Sequence, residues 1–349
     1  LPENNFDREI TLDLVRVTEA AALTSSLYLG RGDKNAVDQA AVDAMRGMLD
    51  YIEIKGTVII GEGEKDEAPM LYIGEKVGTW NEDDEEFDIA VDPIDGTRLV
   101  AYGLPNAISV MLLAEKGKLA YLPTFYSYKL AVGPELKGIL DIRSSIRENL
   151  RVAAAALKVP VSEITVVVLN RDRHKKIIEE IREVGARIKL IGDGDIAAAI
   201  ATAMPESGVD IYIGIGGSPE AVLAAGALRT LGGELQVQLW PQTEEEKEKL
   251  IEEGWDLEKV YFTEDLAGGE NVIFSATGVT NGEFLKGVKF HKGKAITESI
   301  VMRTKTRTIR RITTFHDLQH KTIRLKSTEG DSKLLSIGNR REFGLGGGI

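Results

Sequence analysis

The sequence predicts an α/β protein in two parts, the first with helices laid on a mixed sheet and the second with a mostly parallel sheet covered by helices. Three observations lead there. The chain has 349 residues, of which 43% are hydrophobic, enough for about two domains with cores of their own. Its first third carries two long stretches of helical periodicity and several short apolar runs bounded by glycine and proline. From about Ser145 helical and strand-like segments alternate, a rhythm that favours parallel strands joined by helices. The organisation expected is 1–140, 141–325 and a weakly patterned, disordered tail over 326–349.

Phe6 to Leu29 reads as a helix, with Leu12, Val15, Glu19, Ala22 and Leu23 near a 3.6-residue period and Gly30 as its stop. A second helix spans about Asn35 to Tyr51. Thr57 to Gly61 is a short buried strand running into the glycine-flanked acids Glu62 and Glu64, and Phe87 to Val91 is a strand that ends at Asp92. Ala107–Ala114 and Lys118–Leu122, flanking Glu115-Lys116-Gly117, predict a hairpin. In the second part, helices are expected at 145–157, 173–184, 195–204 and 219–231, and strands at 164–169, 187–191 and 209–213. Strands over 271–277 and 300–315 follow. Ligands in such sheets gather at the carboxyl ends of strands, which is where Arg171-Asp172-Arg173-His174, Asp193-Gly194-Asp195 and Gly216 to Glu220 fall.

Composition narrows the chemistry. Forty-three Lys and Arg against fifty-five Asp and Glu leave a formal charge of -12, which repels nucleic acid and anionic membrane, so neither is expected as a partner. An anionic substrate then needs local metals or arginines. The chain has no cysteine, so thiol catalysis, disulfides and zinc-thiolate sites are out. Leu1 to Ile10 has no apolar signal-like core, and no segment approaches the roughly 18 apolar residues of a membrane span. A cytoplasmic enzyme or binding protein is expected.

Asp92-Pro93-Ile94-Asp95-Gly96-Thr97 is the most informative stretch. Two carboxylates with a carbonyl between them are hard oxygen ligands of the kind Mg2+ and Mn2+ prefer, and Thr97 follows within reach of a coordinated water. A plain Asp-Pro turn followed by an Asp-Gly turn is the competing reading. Asp38 lies among alanines on the second helix, and read alone it is more readily a surface or hydrogen-bonded acid. Glu62 reads equally as part of a solvated loop, while Glu220, after an N-cap Ser218 and Pro219, reads more readily on its own as compensation of a helix dipole. Together these acids make up the carboxylate set of a two-metal site. Arg171 and Arg173 offer planar forks to a phosphate, or a solvated helix start. Asp193 and Asp195 suit sugar hydroxyls. Gly192 to Ala197 also fits a loose G-x-G-x-x-A dinucleotide pattern, against which two aspartates would repel a pyrophosphate. His174 is left as structural.

The chain resembles the class II fructose-1,6-bisphosphatases, including the cyanobacterial-type fructose-1,6/sedoheptulose-1,7-bisphosphatases, within the lithium-sensitive sugar and inositol phosphatases. The likeness runs from about Glu19 to Thr313 and includes Gly30 to Asn35, Ile60 to Glu64, Asp66 to Gly74, Asp92 to Thr97, Gly214 to Glu220 and Asn271 to Gly278. The resemblance implies a layered αβαβα sandwich and two divalent ions, Mn2+ or Mg2+, one held by Asp38 and Glu62 and the other by Asp92, Asp95 and Glu220. It implies substrate contacts from Asp95, Gly96, Thr97, Tyr126, Arg171, Asp172, Arg173, Asp193, Gly194 and Asp195, and catalytic roles for Lys34, Asp66 and Thr97. It also implies a homo-oligomer, dimer or tetramer, acting on a sugar bisphosphate. An inositol-monophosphatase-like enzyme is the nearer alternative and a dinucleotide-binding oxidoreductase the more distant one.

Overall fold

The computed structural model describes residues 6–63, 71–327 and 330–338, with side chains from Ile10 onward. The chain folds as two compact units: Leu1–Lys116, Ile273–Arg303 and Ile309–Ile349 form the first, and Gly117–Val272 with Thr304–Thr308 the second. The division is therefore not the linear 1–140 and 141–325 segmentation, because the chain leaves the first unit at Lys116 and returns to it at Ile273.

The first unit opens with α1 (Phe6–Ser25) and α2 (Lys34–Leu49), followed by β1 (Lys55–Ile60), β2 (Lys76–Val77), β3 (Glu86–Asp95), α3 (Thr97–Ala101) and β4 (Ile108–Glu115). Asp33 caps α2 by accepting from the Ala36 amide at 3.0 Å. Val37, Ala41, Met45 and Leu49 form its buried face and share a core with Leu14 of α1 and Ile89 and Val91 of β3. β3 lies between a parallel β1 and an antiparallel β4. Its pairing with β4 shifts register between Asp92 and Asp95, where Pro93 has no amide hydrogen to give the ladder. The Asp92–Asp95 stretch is thus the irregular end of the strand itself rather than a turn beyond it.

The second unit contains β5 (Tyr126–Val132), α4 (Ile146–Leu157), β6 (Thr165–Leu169), α5 (Lys175–Val184), β7 (Arg187–Ile191), α6 (Asp195–Ala201), β8 (Ile211–Gly217), α7 (Ser218–Leu231), β9 (Glu234–Leu239), α8 (Glu244–Glu252), β10 (Tyr261–Phe262) and α9 (Thr263–Leu266). Its six strands lie in the order β10-β9-β5-β8-β6-β7. β6 pairs in parallel with both β7 and β8, as the alternation predicts. The sheet is nevertheless mixed rather than mostly parallel. β5, which precedes the alternating segment, inserts antiparallel between β8 and β9, and β10 is antiparallel to β9. One face carries Leu130, Val132, Val166, Val168, Ile211 and Ile213, covered by α4 and α5 residues such as Leu150 and Ile181. α6 and α7 cover the other.

Back in the first unit come β11 (Ile273–Gly278), β12 (Lys289–His291), β13 (Lys294–Arg303), β14 (Thr308–Asp317), β15 (Thr322–Lys326) and β16 (Ser332–Ser336). The large sheet runs β12-β13-β11-β4-β3-β1-β2, with β14 also paired to β13. The expected hairpin over 107–122 does not form. β4 takes β3 and β11 as neighbours, and Leu119 makes a single bridge to Ala267. The expected strand over 300–315 is broken by a turn, with the Arg307 amide bonded to the Thr304 carbonyl. Part of the tail is ordered: β15 and β16 form a hairpin that buries Ile323, Leu335 and Ile337, and Gly47 of α2 lets the Arg324 carbonyl approach where a Cβ would collide with it.

Candidate active site

In the first unit the structure brings Asp38 of α2 to Thr97, the first residue of α3. The Thr97 hydroxyl lies 3.5 Å from Asp38 Oδ1 and 3.3 Å from the Ile94 carbonyl, so its one proton is shared between two weak acceptors. Burial pushes the Asp38 carboxyl above the usual range, opposed by that hydroxyl. Gly96 precedes Thr97 with φ +89, the left-handed geometry that glycine adopts without strain. Asp92 is half-buried and Asp95 buried at the end of β3, while Lys34 is exposed at the start of α2, one helical turn before Asp38. The half-buried Glu62 lies on a loop pinned by its own amide to the Leu71 carbonyl at 3.0 Å. Asp66 lies outside the described residues.

In the second unit, three strand-end loops interlock. Arg173 donates from Nε and Nη2 to the Ile215 carbonyl at 3.1 and 2.9 Å, and its guanidinium carbon sits 4.5 Å from the centre of the Tyr126 ring. Arg171 reaches Asp193 at 3.4 Å, tying the loop after β6 to the loop after β7. Gly194, at φ +81, is the N-cap of α6, and Asp195 is its first residue. Asp172 instead faces solvent in a pair with Lys175 at 2.9 Å, whose hydrogen bond holds its carboxyl below the usual range. His174 is structural, as expected. Its Nδ1 and the Leu169 carbonyl are 2.7 Å apart and its Nε2 accepts the Ile215 amide at 2.7 Å, and burial pushes its pKa down.

The start of α7 differs from its sequence reading. Gly217 rather than Ser218 is the N-cap, and the Ser218 hydroxyl is instead bonded to those of Ser127 and Thr124. Glu220 follows with Oε2 buried and without a hydrogen-bond partner. Its carboxyl is pushed up first by burial and then by Asp195 and Asp193, with Lys129 opposing. Gly217 leaves the room it occupies, since a Cβ there would overlap the Glu220 carboxylate.

Lys129 and Tyr212 were not legible as site residues. Lys129 Nζ is 2.8 Å from Asp195 Oδ2, and the Tyr212 hydroxyl donates to the same oxygen at 3.1 Å. In Tyr-Ser-Tyr-Lys-Leu-Ala-Val the lysine looks like a solvent-facing strand residue. The available signal was its alternation with the small residues Ser127 and Ala131, which marks a covered face. Among the described residues no group of three or more His, Asp or Glu side chains is drawn together tightly enough to hold a metal ion.

The chain has a mixed α/β architecture, with carboxylates and arginines on the strand-end loops of its second unit. It belongs to the family described as bacterial fructose-1,6-bisphosphatase, glpX-encoded, which it matches over residues 8–316. It is 45% identical over 346 residues to the D-fructose 1,6-bisphosphatase class 2/sedoheptulose 1,7-bisphosphatase of Thermosynechococcus vestitus, covering 92% of this chain and 100% of that protein. It is 47% identical over 327 residues to the fructose-1,6-bisphosphatase 1 class 2 of Escherichia coli K12, covering 90% of this chain and 97% of that one. The class 2 enzyme of Escherichia coli O6:H1 matches equally. The family match ends at residue 316, so the β15–β16 hairpin lies beyond it.

Proposed function

We propose that the protein cleaves the 1-phosphate of fructose 1,6-bisphosphate, giving fructose 6-phosphate and phosphate, and acts likewise on sedoheptulose 1,7-bisphosphate to give sedoheptulose 7-phosphate. The observation that carries this is the family match across residues 8–316. The α and β elements are read as those of the layered αβαβα sandwich of sugar phosphatases. No helix among the described residues is long and apolar enough to cross a membrane. A cytoplasmic homo-oligomer, dimer or tetramer, is the proposed setting.

Asp38 and Glu62 are proposed to hold one divalent ion and Asp92, Asp95 and Glu220 a second, either Mg2+ or Mn2+. Each unit offers one supporting feature: in the second, Glu220 has a buried oxygen without a hydrogen bond, and in the first, Asp38 is desolvated beside a weakly bonding hydroxyl. Hard carboxylate oxygens suit these ions. When bound, they supply charge to the phosphoryl oxygens and acidify water. Asp66 is proposed to accept the proton of the attacking water, with the Thr97 hydroxyl orienting it. Lys34 adds positive charge on the helix that carries Asp38. The Gly96 and Thr97 amides hold the reacting phosphate. Arg171 and Arg173, flanking Asp172, grip the distal one, Tyr126 stacks beneath Arg173, and Asp193-Gly194-Asp195 take the ketose hydroxyls.

The test is product analysis with Mg2+ or Mn2+. One equivalent of phosphate and fructose 6-phosphate should appear. Fructose 1-phosphate as product, or a preference for inositol 1-phosphate over either sugar, would overturn the assignment.

A further inference from the structure

Lys129 is 2% exposed on β5, and an ammonium at that depth is costly unless paired. Its Nζ donates to Asp195 Oδ2 at 2.8 Å, and the fully buried Tyr212 donates to the same atom at 3.1 Å. A carboxylate oxygen has two lone pairs, so these two donors saturate Oδ2. The strand register explains the meeting. Lys129 pairs with Gly214, and Ala131 with Tyr212, which sets lysine and tyrosine diagonally on one face of the sheet. Gly216 closes the arrangement from behind, because a Cβ there would overlap Asp195 Oδ2 and lie 3.1 Å from Lys129 Nζ. Asp195 is therefore fixed on one side by residues of two strands, β5 and β8, and Oδ1 is the oxygen those donors leave over.

We propose that Lys129 and Tyr212 are positioning residues that fix Asp195 so that it accepts one sugar hydroxyl through Oδ1 alone. They act through Asp195 and touch neither phosphate. The proposal rests on the reading of Asp195 as a ketose contact. It adds that substrate discrimination depends on a buried lysine and tyrosine behind that contact, and that the sugar, not the cleaved phosphate, is what they serve.

The experiment compares Tyr212→Phe, which deletes a single oxygen atom, Lys129→Met and Asp195→Ala with wild type. Fructose 1,6-bisphosphate is set against p-nitrophenyl phosphate, which offers no sugar hydroxyl, and fructose 6-phosphate binding is measured by calorimetry. Tyr212→Phe should raise KM for the bisphosphate by about threefold to tenfold and Lys129→Met by about tenfold to a hundredfold, with kcat held within about threefold. Fructose 6-phosphate affinity should fall by similar factors, p-nitrophenyl phosphate should change by less than about twofold in Tyr212→Phe, which leaves every charge in place, and Tyr212→Phe should add nothing in an Asp195→Ala background. Equal losses on both substrates, a change confined to kcat, or no effect of Tyr212→Phe on the bisphosphate would overturn the proposal. A wild-type protein inert toward fructose 1,6-bisphosphate would remove the reading beneath it, a separate result visible before any variant is made.

Discussion

Replacing Arg173 with alanine separates the contacts this side chain makes within the protein from the distal-phosphate grip proposed for it. The guanidinium already gives two hydrogen bonds to the Ile215 carbonyl, at 3.1 and 2.9 Å, and lies over Tyr126. Orphaning that carbonyl costs about 1–2 kcal/mol, and loss of the stacked cation about 0.5–1 kcal/mol. Stability of the second unit should therefore fall by about 1.5–3 kcal/mol, read as a lower unfolding midpoint in urea. The remaining donors of the fork are those proposed for the distal phosphate. Losing a charge-assisted bond there costs about 1.5–3 kcal/mol, or roughly one to two orders of magnitude in kcat/KM for fructose 1,6-bisphosphate. Sedoheptulose 1,7-bisphosphate should suffer similarly and p-nitrophenyl phosphate much less. Arg173→Lys should fall between, since an ammonium keeps the charge but cannot make the fork. Equal losses on all three substrates would show that Arg173 supports only the fold or the reacting phosphate.

The other predictions concern charge, pH and redox state. Asp38→Asn and Glu220→Gln should abolish turnover and the rise in melting temperature given by Mn2+, while the metal-free variants melt no lower than wild type, because an amide escapes the desolvation that pushes both carboxyls up. Full activity with unchanged metal stabilisation would refute their assignment as ligands. Burial lowers the His174 pKa, so the unfolded chain takes up this proton first. Its contribution to stability is complete above about pH 6.5 and lost as pH falls towards the folded value, and urea midpoints across pH 5 to 8 should show a steeper acid decline for wild type than for His174→Asn. Since the chain has no cysteine, activity of the metal-loaded protein should be indifferent to dithiothreitol; a several-fold activation would contradict this.

Local chemistry made the alternating helices and strands between Ser145 and Leu231 legible, but β5, β9, β10, α8 and α9 were not. β7 was read at its true bounds and α4 to within a residue, because apolar runs there are bounded by capping residues and glycine. β5 gave no sign of its place between β8 and β9, since register depends on which strands are free to pair and not on its own seven residues. The turn at 304–307 was missed for a different reason: Thr-Lys-Thr-Arg carries neither glycine nor proline, and Arg307 itself takes φ +46. Of the candidate residues, Asp92 to Thr97 was singled out by its density of oxygen ligands. Lys129 was not, because a lysine on a strand is ordinarily solvated, and only the carboxylate supplied by a later loop makes its burial affordable.

The same dependence on later chain segments holds the arginine loop in the folded chain. Arg173 holds the carbonyl of Ile215 and His174 holds its amide, so two neighbouring side chains fix both polar groups of one β8 residue. His174 is anchored in turn to the end of β6 through Leu169. A guanidinium on a free loop would lose its rotamer freedom on meeting a phosphate, at about 0.5–1.5 kcal/mol for such a side chain; here folding has already removed that freedom. Arginine suits the distal-phosphate role proposed here where lysine does not, because its five donors allow some to be spent on the protein and others kept for an anion. The buried histidine beside it is then no idle core residue. By setting the backbone that Arg173 grips, it orients the fork, and its neutral state is the one in which Nε2 can accept the Ile215 amide.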